Sequence, residues 1–121
     1  MFINLTNHPS EKWGEKQLSE AIALGGKIVD MPFPQIDPKA TTLDIEKLAS
    51  SYIAKCLDVD TNFKVLIQGE FTFVYNFVTF ARNLSKGCYT ATTERKAFEY
   101  INDKGEVIKT SIFEFVQFRE Y

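Results

Sequence analysis

FKVLIQGEFTFVYNFVTFARNLSKGCYTATTER, residues 63–95, decides the fold. Phe63 to Ile67 is a short apolar run rich in strand formers, closed by the polar break Gln68-Gly69-Glu70. Phe71 to Leu84 then repeats apolar residues at helical spacing, with Phe73, Phe77, Phe80 and Leu84 in one stripe. Phe71, Val74, Tyr75 and Val78 cover much of the remaining circumference, which predicts a helix contacted on two sides. Cys88 to Ala91 reads as a further strand, ending in the polar tip Thr92-Thr93-Glu94-Arg95. Between Phe71 and Thr93 only Arg82 and Lys86 are charged, so this strand–helix–strand unit is the predicted centre of the core.

The preceding chain repeats the alternation. Phe2 to Thr6 is a strand, and Asn7-His8-Pro9-Ser10 breaks it. Ser10 is the expected N-cap of a helix to Leu24, which Gly25-Gly26 ends. Lys27 to Met31 is the second strand, and two prolines at Pro32 and Pro34 forbid a helix directly after it. Thr41 or Thr42 caps a helix whose apolar face is Ile45, Leu48, Ala49, Tyr52, Ile53 and Cys56. After Arg95 the period changes to two. Ala97 to Ile101 and Glu106 to Phe118 read as antiparallel strands around Asn102-Asp103-Lys104-Gly105. The whole is predicted as one α/β domain over residues 1–121, a three-layer Rossmann-like sandwich with a mainly parallel sheet and a C-terminal antiparallel β-hairpin.

Composition narrows the function. A net charge of −2 and pI near 5.4 argue against an electrostatic grip on duplex nucleic acid. No run reaches the ~18 apolar residues of a membrane span, and the N-terminus lacks the basic start of a secretory signal, so a cytoplasmic location is expected. Cys56 and Cys88 lie in apolar patterns and read as buried thiols. One histidine and scattered carboxylates give no metal-ligand spacing. No cofactor motif is present, neither GxGxxG nor GxxxxGK[ST].

In open α/β sheets ligands sit outside the carboxyl ends of the strands, where strand order reverses. That rule points to Thr6-Asn7-His8, Gln68-Gly69-Glu70 and Thr92 to Arg95. Helix N-termini near Ser10 and Phe71 offer free N–H groups to an anion. Gly69 allows close backbone approach, the threonines offer hydroxyls, and Arg95 a bidentate donor. Together they suit a small phosphate-bearing ligand. Each residue also has a plainer reading. His8 is a turn residue, Thr92 and Thr93 are strand formers, and Glu94-Arg95 is a solvated pair. Glu70 complements the dipole of the helix behind it, and Trp13 is a packing residue.

A small Rossmann-like domain with polar tips after strands one, three and four, an apolar third helix and a terminal hairpin resembles the CRISPR-associated Rossmann-fold (CARF) domains. The likeness is greatest to the compact stand-alone ring nucleases. It rests on NLTNHPSEKW at 4–13, IVDMPFP at 28–34, QGEFTF at 68–73, TATTER at 90–95 and FVQFREY at 115–121. The resemblance implies a homodimer that binds a cyclic oligoadenylate and cuts it without metal, a ribose 2′-hydroxyl attacking the adjacent phosphate. It assigns His8 or Arg95 a catalytic role. Thr6, Asn7, Gln68, Gly69, Glu70, Thr92, Thr93 and Glu94 are the candidate ligand-binding residues, and the third helix is the expected dimer surface. Two alternatives stand beside it: a nucleotide sensor or sponge that does not cut, and a nucleoside or sugar hydrolase using Glu70 or Glu94.

Overall fold

The computed structural model describes residues 1–121. Five strands, β1 (Phe2–Leu5), β2 (Ile28–Asp30), β3 (Lys64–Ile67), β4 (Gly87–Ile101) and β5 (Val107–Glu120), form one sheet in the order β2-β1-β3-β4-β5. The first four are parallel and β5 is antiparallel to β4. Helices α1 (Glu15–Gly25), α2 (Thr42–Val59) and α3 (Phe71–Asn83) connect them. The α/β, Rossmann-like expectation is met.

The chain moves one way across the sheet from β1 to β2 and the other way from β2 to β3 and β4. Crossovers of one hand then put α1 on one face and α2 with α3 on the other. The two cores follow the pleat. Ile3, Leu5, Val65, Ile67 and Cys88 face α2 and α3, where they join Ala49, Ile53, Phe73 and Phe77. Phe2 and Leu66 face α1 with Ala21, and Tyr89 and Phe118 pack on them. Because side chains alternate along a strand, Asn4, Thr6 and Gln68 fall on the α1 face beyond this second, smaller core.

Two local expectations need correction, and one surface stands open. Ser10 does not cap α1; it opens a 3-10 turn over Ser10–Lys12, and α1 begins after Gly14. Ser10 instead donates its backbone N–H and its hydroxyl to the Asp30 carboxylate. The outer side of α3, the expected dimer surface, is not packed by the chain's own elements, with Phe71 88% and Tyr75 73% exposed. The second correction is the larger. Thr92 to Arg95 is not a tip: β4 runs unbroken from Gly87 to Ile101, so the expected fourth and fifth strands are one. Thr92 pairs with Gln117 and Thr93 with Phe115, leaving Val116 as a bulge. Beyond it, β4 and β5 continue as a two-stranded arm, almost wholly exposed on both faces, past the ends of β1 and β3. The Thr41 cap is as expected, a capping box with Asp44.

Candidate functional site

The strand order reverses at β1, with β2 on one side and β3 on the other, so the crevice predicted by topology opens at the ends of β1 and β3. A cavity of about 240 Å³ lies there on the α1 face. Thr6 and His8 from the end of β1, Gln68 from the end of β3 and Thr93 from β4 all line it. The structure thus brings together four residues that are far apart in sequence. Trp13, Gln17, Leu66, Ala91 and Phe115 complete the wall.

Its floor is fixed by a buried polar network. Asn4 is 1% exposed, and its Nδ2 donates to the His8 carbonyl at 2.8 Å and to Asp30 Oδ1 at 2.9 Å. Thr6 Oγ1 donates to Asn4 Oδ1 at 2.8 Å and accepts from the His8 N–H at 3.1 Å. Every polar atom of this pair therefore has a partner, which a buried amide and hydroxyl require. The consequence is a rigid turn that presents His8 at the rim. Thr6 is accordingly a positioning residue: its hydroxyl is already engaged.

The upper wall is freer. Gln68 Oε1 accepts only a long bond, 3.4 Å, from the Ala91 N–H, leaving its NH₂ available. Gln17 belongs to the first turn of α1, whose N-cap, Gly14, provides no side-chain cap. The first N–H groups of α1 are therefore open to an anion. Trp13 packs its ring on Phe118 at 6.2 Å, and Phe115 packs on the same ring at 4.9 Å, so the two aromatic walls share one support. Two amides, two aromatic rings and an open helix terminus suit a planar base with hydrogen-bonding edges and a phosphate.

The other candidates lie elsewhere. Glu70 caps α3, accepting from Thr72 N at 3.1 Å and Phe73 N at 2.8 Å. The Thr72 hydroxyl and then the Phe73 N–H hold its carboxyl below the usual glutamate range. Gly69 is small for packing: a Cβ there would sit 2.4 Å from the ring of Phe33. Thr92 and Glu94 project to the opposite face from Thr93. The Thr92 hydroxyl donates to the Gln117 carbonyl at 3.2 Å, and Glu94 sits across from Glu114. Arg95 lies one step along the arm and lines a separate depression with Glu99 and Lys109; the expected Glu94–Arg95 ion pair is not formed. Asn7 is exposed beside His8.

Asn4, Gln17 and Phe115 are not among the expected site residues, and for Trp13 packing is the favoured reading over base stacking. Asn4 carried a signal, since an amide inside a strand buried at every position needs partners. Phe115 carried none, because its place depends on the bulge.

No cluster of three or more His, Cys, Asp or Glu side chains is arranged to hold a metal. Burial pushes the Cys56 and Cys88 thiols up to about 12, which makes them inert. No helix is long and apolar enough to cross a membrane. The roomiest cavity, about 670 Å³, is not at the strand ends but along α3, lined by Phe71, Val74, Tyr75 and Val78 with Arg82 its one charge. Thr79, Asn83 and Tyr121 line it too, but none of the residues expected at the site does, so the smaller crevice is the better ligand site.

No curated protein and no solved structure matches the chain. One family model matches residues 1–119, nearly the whole domain, and the chain therefore belongs to the family described as the uncharacterized protein MJ1673 family.

Proposed function

We propose that this protein binds a cyclic oligoadenylate, in the manner of the CARF domains it resembles, with one adenine nucleotide seated in the crevice at the ends of β1 and β3. The observation that carries the reading is the convergence of Thr6, His8, Gln68 and Thr93 with Trp13, Gln17 and Phe115 on one cavity beside an uncapped helix start. The amides of Gln17 and Gln68 suit the donor–acceptor edge of adenine. The aromatic walls suit its faces, and the α1 N-terminus suits its phosphate. At about 240 Å³ the crevice is smaller than the ~300–1,000 Å³ of sites that enclose drug-sized ligands. It takes one nucleotide of the ring. The protein acts in the cytoplasm.

Cleavage is the second part of this reading. Among the side chains lining the crevice, His8 is the only one with acid–base chemistry, and none is a carboxylate. Metal-independent cleavage by an adjacent 2′-hydroxyl rests on His8 as proton acceptor or donor and on the helix N–H groups for the phosphate charge. Arg95 does not line the crevice of its own chain.

Trp13 is the only tryptophan, so its fluorescence reports directly on the site. Titration with cyclic tri-, tetra- and hexa-adenylate is expected to change this signal and to raise the melting temperature. A ligand at a hundred times its Kd stabilises by about 2.7 kcal/mol, roughly 10 °C for a domain of this size. Gln68→Ala should weaken binding, and His8→Ala should abolish any turnover in EDTA while binding persists. The proposal fails if none of the three rings shifts either signal.

A further inference from the structure

The arm and the outer side of α3 both expose large apolar side chains, on the arm beside the ion pairs Lys96–Glu114 and Lys109–Glu99. From the register of β4 with β5, one face of the arm carries Lys96 opposite Ile112, Phe98 opposite Thr110 and Tyr100 opposite Ile108. This is the face turned away from the α1 side, where Thr93 and Phe115 lie. Phe98, Tyr100 and Ile112 are each about half exposed, at 47%, 55% and 50%. On α3, Phe71 and Tyr75 form a ridge one helical turn apart, with a groove of about 670 Å³ on one side and about 480 Å³ on the other.

We propose that a second copy of this chain covers these surfaces, each copy laying its β4–β5 arm on the α3 ridge of the other about a two-fold axis. Three observations select this occupant. A two-stranded ribbon with no third strand or helix against it is marginal in water, yet this arm keeps its pairing to Ile101 and Val107. The arm cannot serve its own α3. It continues β4 outward past the strand ends, while α3 starts at that edge with Phe71 and runs back along the sheet to Asn83. Reaching it would break the β4–β5 ladder.

The third observation is size. A fully buried aromatic removes 150–250 Å², so these exposed side chains offer on the order of 600 Å² per copy and 1,200 Å² when both arms engage. That meets the lower bound of a stable interface from apolar groups alone. Each arm meets a different surface from its own, and two-fold symmetry closes the pair without leaving a sticky end. The clasp also bears on the crevice, because Thr93 and Phe115 are the first residue pair of the arm after the bulge. The inference holds whether or not the crevice takes a nucleotide.

Sedimentation equilibrium of the ligand-free chain should give a dimer. Tyr75→Glu and Phe98→Glu change exposed positions, so each should keep its melting profile while weakening self-association about 100-fold or more. Mixing the two variants is the decisive measurement. A heterodimer of them retains one intact contact, the unchanged arm of the first on the unchanged α3 of the second, and should associate more tightly than either variant alone. Hydrogen exchange should show residues 94–114 losing protection in the monomeric variants while residues 64–67 keep theirs. A monomeric wild type, a dimer indifferent to Phe98→Glu, or a mixture no tighter than its components would each overturn the proposal.

Discussion

Replacing Gly69 by alanine separates packing from ligand approach at the end of β3. The backbone at Gly69 is not left-handed, so alanine is permitted there conformationally. Its Cβ, however, would lie 2.4–2.7 Å from three ring atoms of Phe33. Phe33 is 8% exposed, and its ring meets the edge of Phe73 at 5.1 Å, so it has little room to yield. Overpacking of this kind costs about 1–3 kcal/mol. The lower entropy of the unfolded alanine chain returns about 0.4–1 kcal/mol. The expected net loss is about 1–2 kcal/mol, roughly 4–8 °C in Tm.

Urea denaturation of four chains measures it: wild type, Gly69→Ala, Phe33→Leu and the double variant. Leucine removes the ring atoms that the new Cβ would strike. The double variant should therefore lose less than the sum of the singles, by about 1 kcal/mol or more. If Gly69→Ala is neutral or stabilising and nucleotide binding is lost, the glycine serves a ligand and the packing argument is wrong.

Glu70→Ala should cost about 1 kcal/mol at neutral pH, as the loss of a helix cap does. Since the folded carboxyl is held below its unfolded value, the cap's contribution is complete above the ordinary glutamate range and fades as pH falls through the depressed one; the gap between wild type and variant should close on acidification. Thr6→Val leaves buried Asn4 Oδ1 without its donor and should cost about 1–3 kcal/mol in denaturant, whereas Thr93→Val, at an exposed position, should stay within about 0.5 kcal/mol. Iodoacetamide should leave both cysteines unmodified in the native protein and label both in urea; rapid native labelling of either would contradict their burial.

What could be read in advance follows which surfaces are buried. Strands β1 and β3, helix α2 and the start of α3 have one environment per face, so their apolar spacing is regular and their limits fall within a residue or two of expectation. The middle of β4 has no buried face. Glu94, Arg95 and Lys96 are all exposed, and their polar run is the same signal that a loop gives. Only pairing with β5 makes them a strand, and pairing partners are not a local property of sequence. The same cause scattered the candidate site. Strand pairing sends Thr93 to one face and Thr92 and Glu94 to the other, so a tetrapeptide that reads as one polar tip supplies a single residue to the crevice.

The fate of the nearby carboxylates bears on chemistry more than any single distance does. Glu70 is spent on the first turn of α3. Asp30 is spent on Asn4 and Ser10, where it ties the loop after β1 to the end of β2. Glu94 stands on the far face of the arm. A hydrolase that activates water with a carboxylate needs one facing the crevice, whereas Glu70 and Asp30 are engaged elsewhere, Glu94 faces away, and no carboxylate lines the cavity. What the crevice keeps is amides, hydroxyls, aromatic rings, a helix start and one imidazole. Such a lining favours a ligand that brings its own charge and, if it is cut, its own nucleophile. An RNA-like ring with a 2′-hydroxyl beside each phosphate has both. The carboxylate-dependent hydrolase is therefore the alternative the geometry supports least. A Glu70→Gln variant that loses cap stability but keeps nucleotide binding would be the expected sign of it, and loss of turnover in that variant with its fold intact would reverse the conclusion.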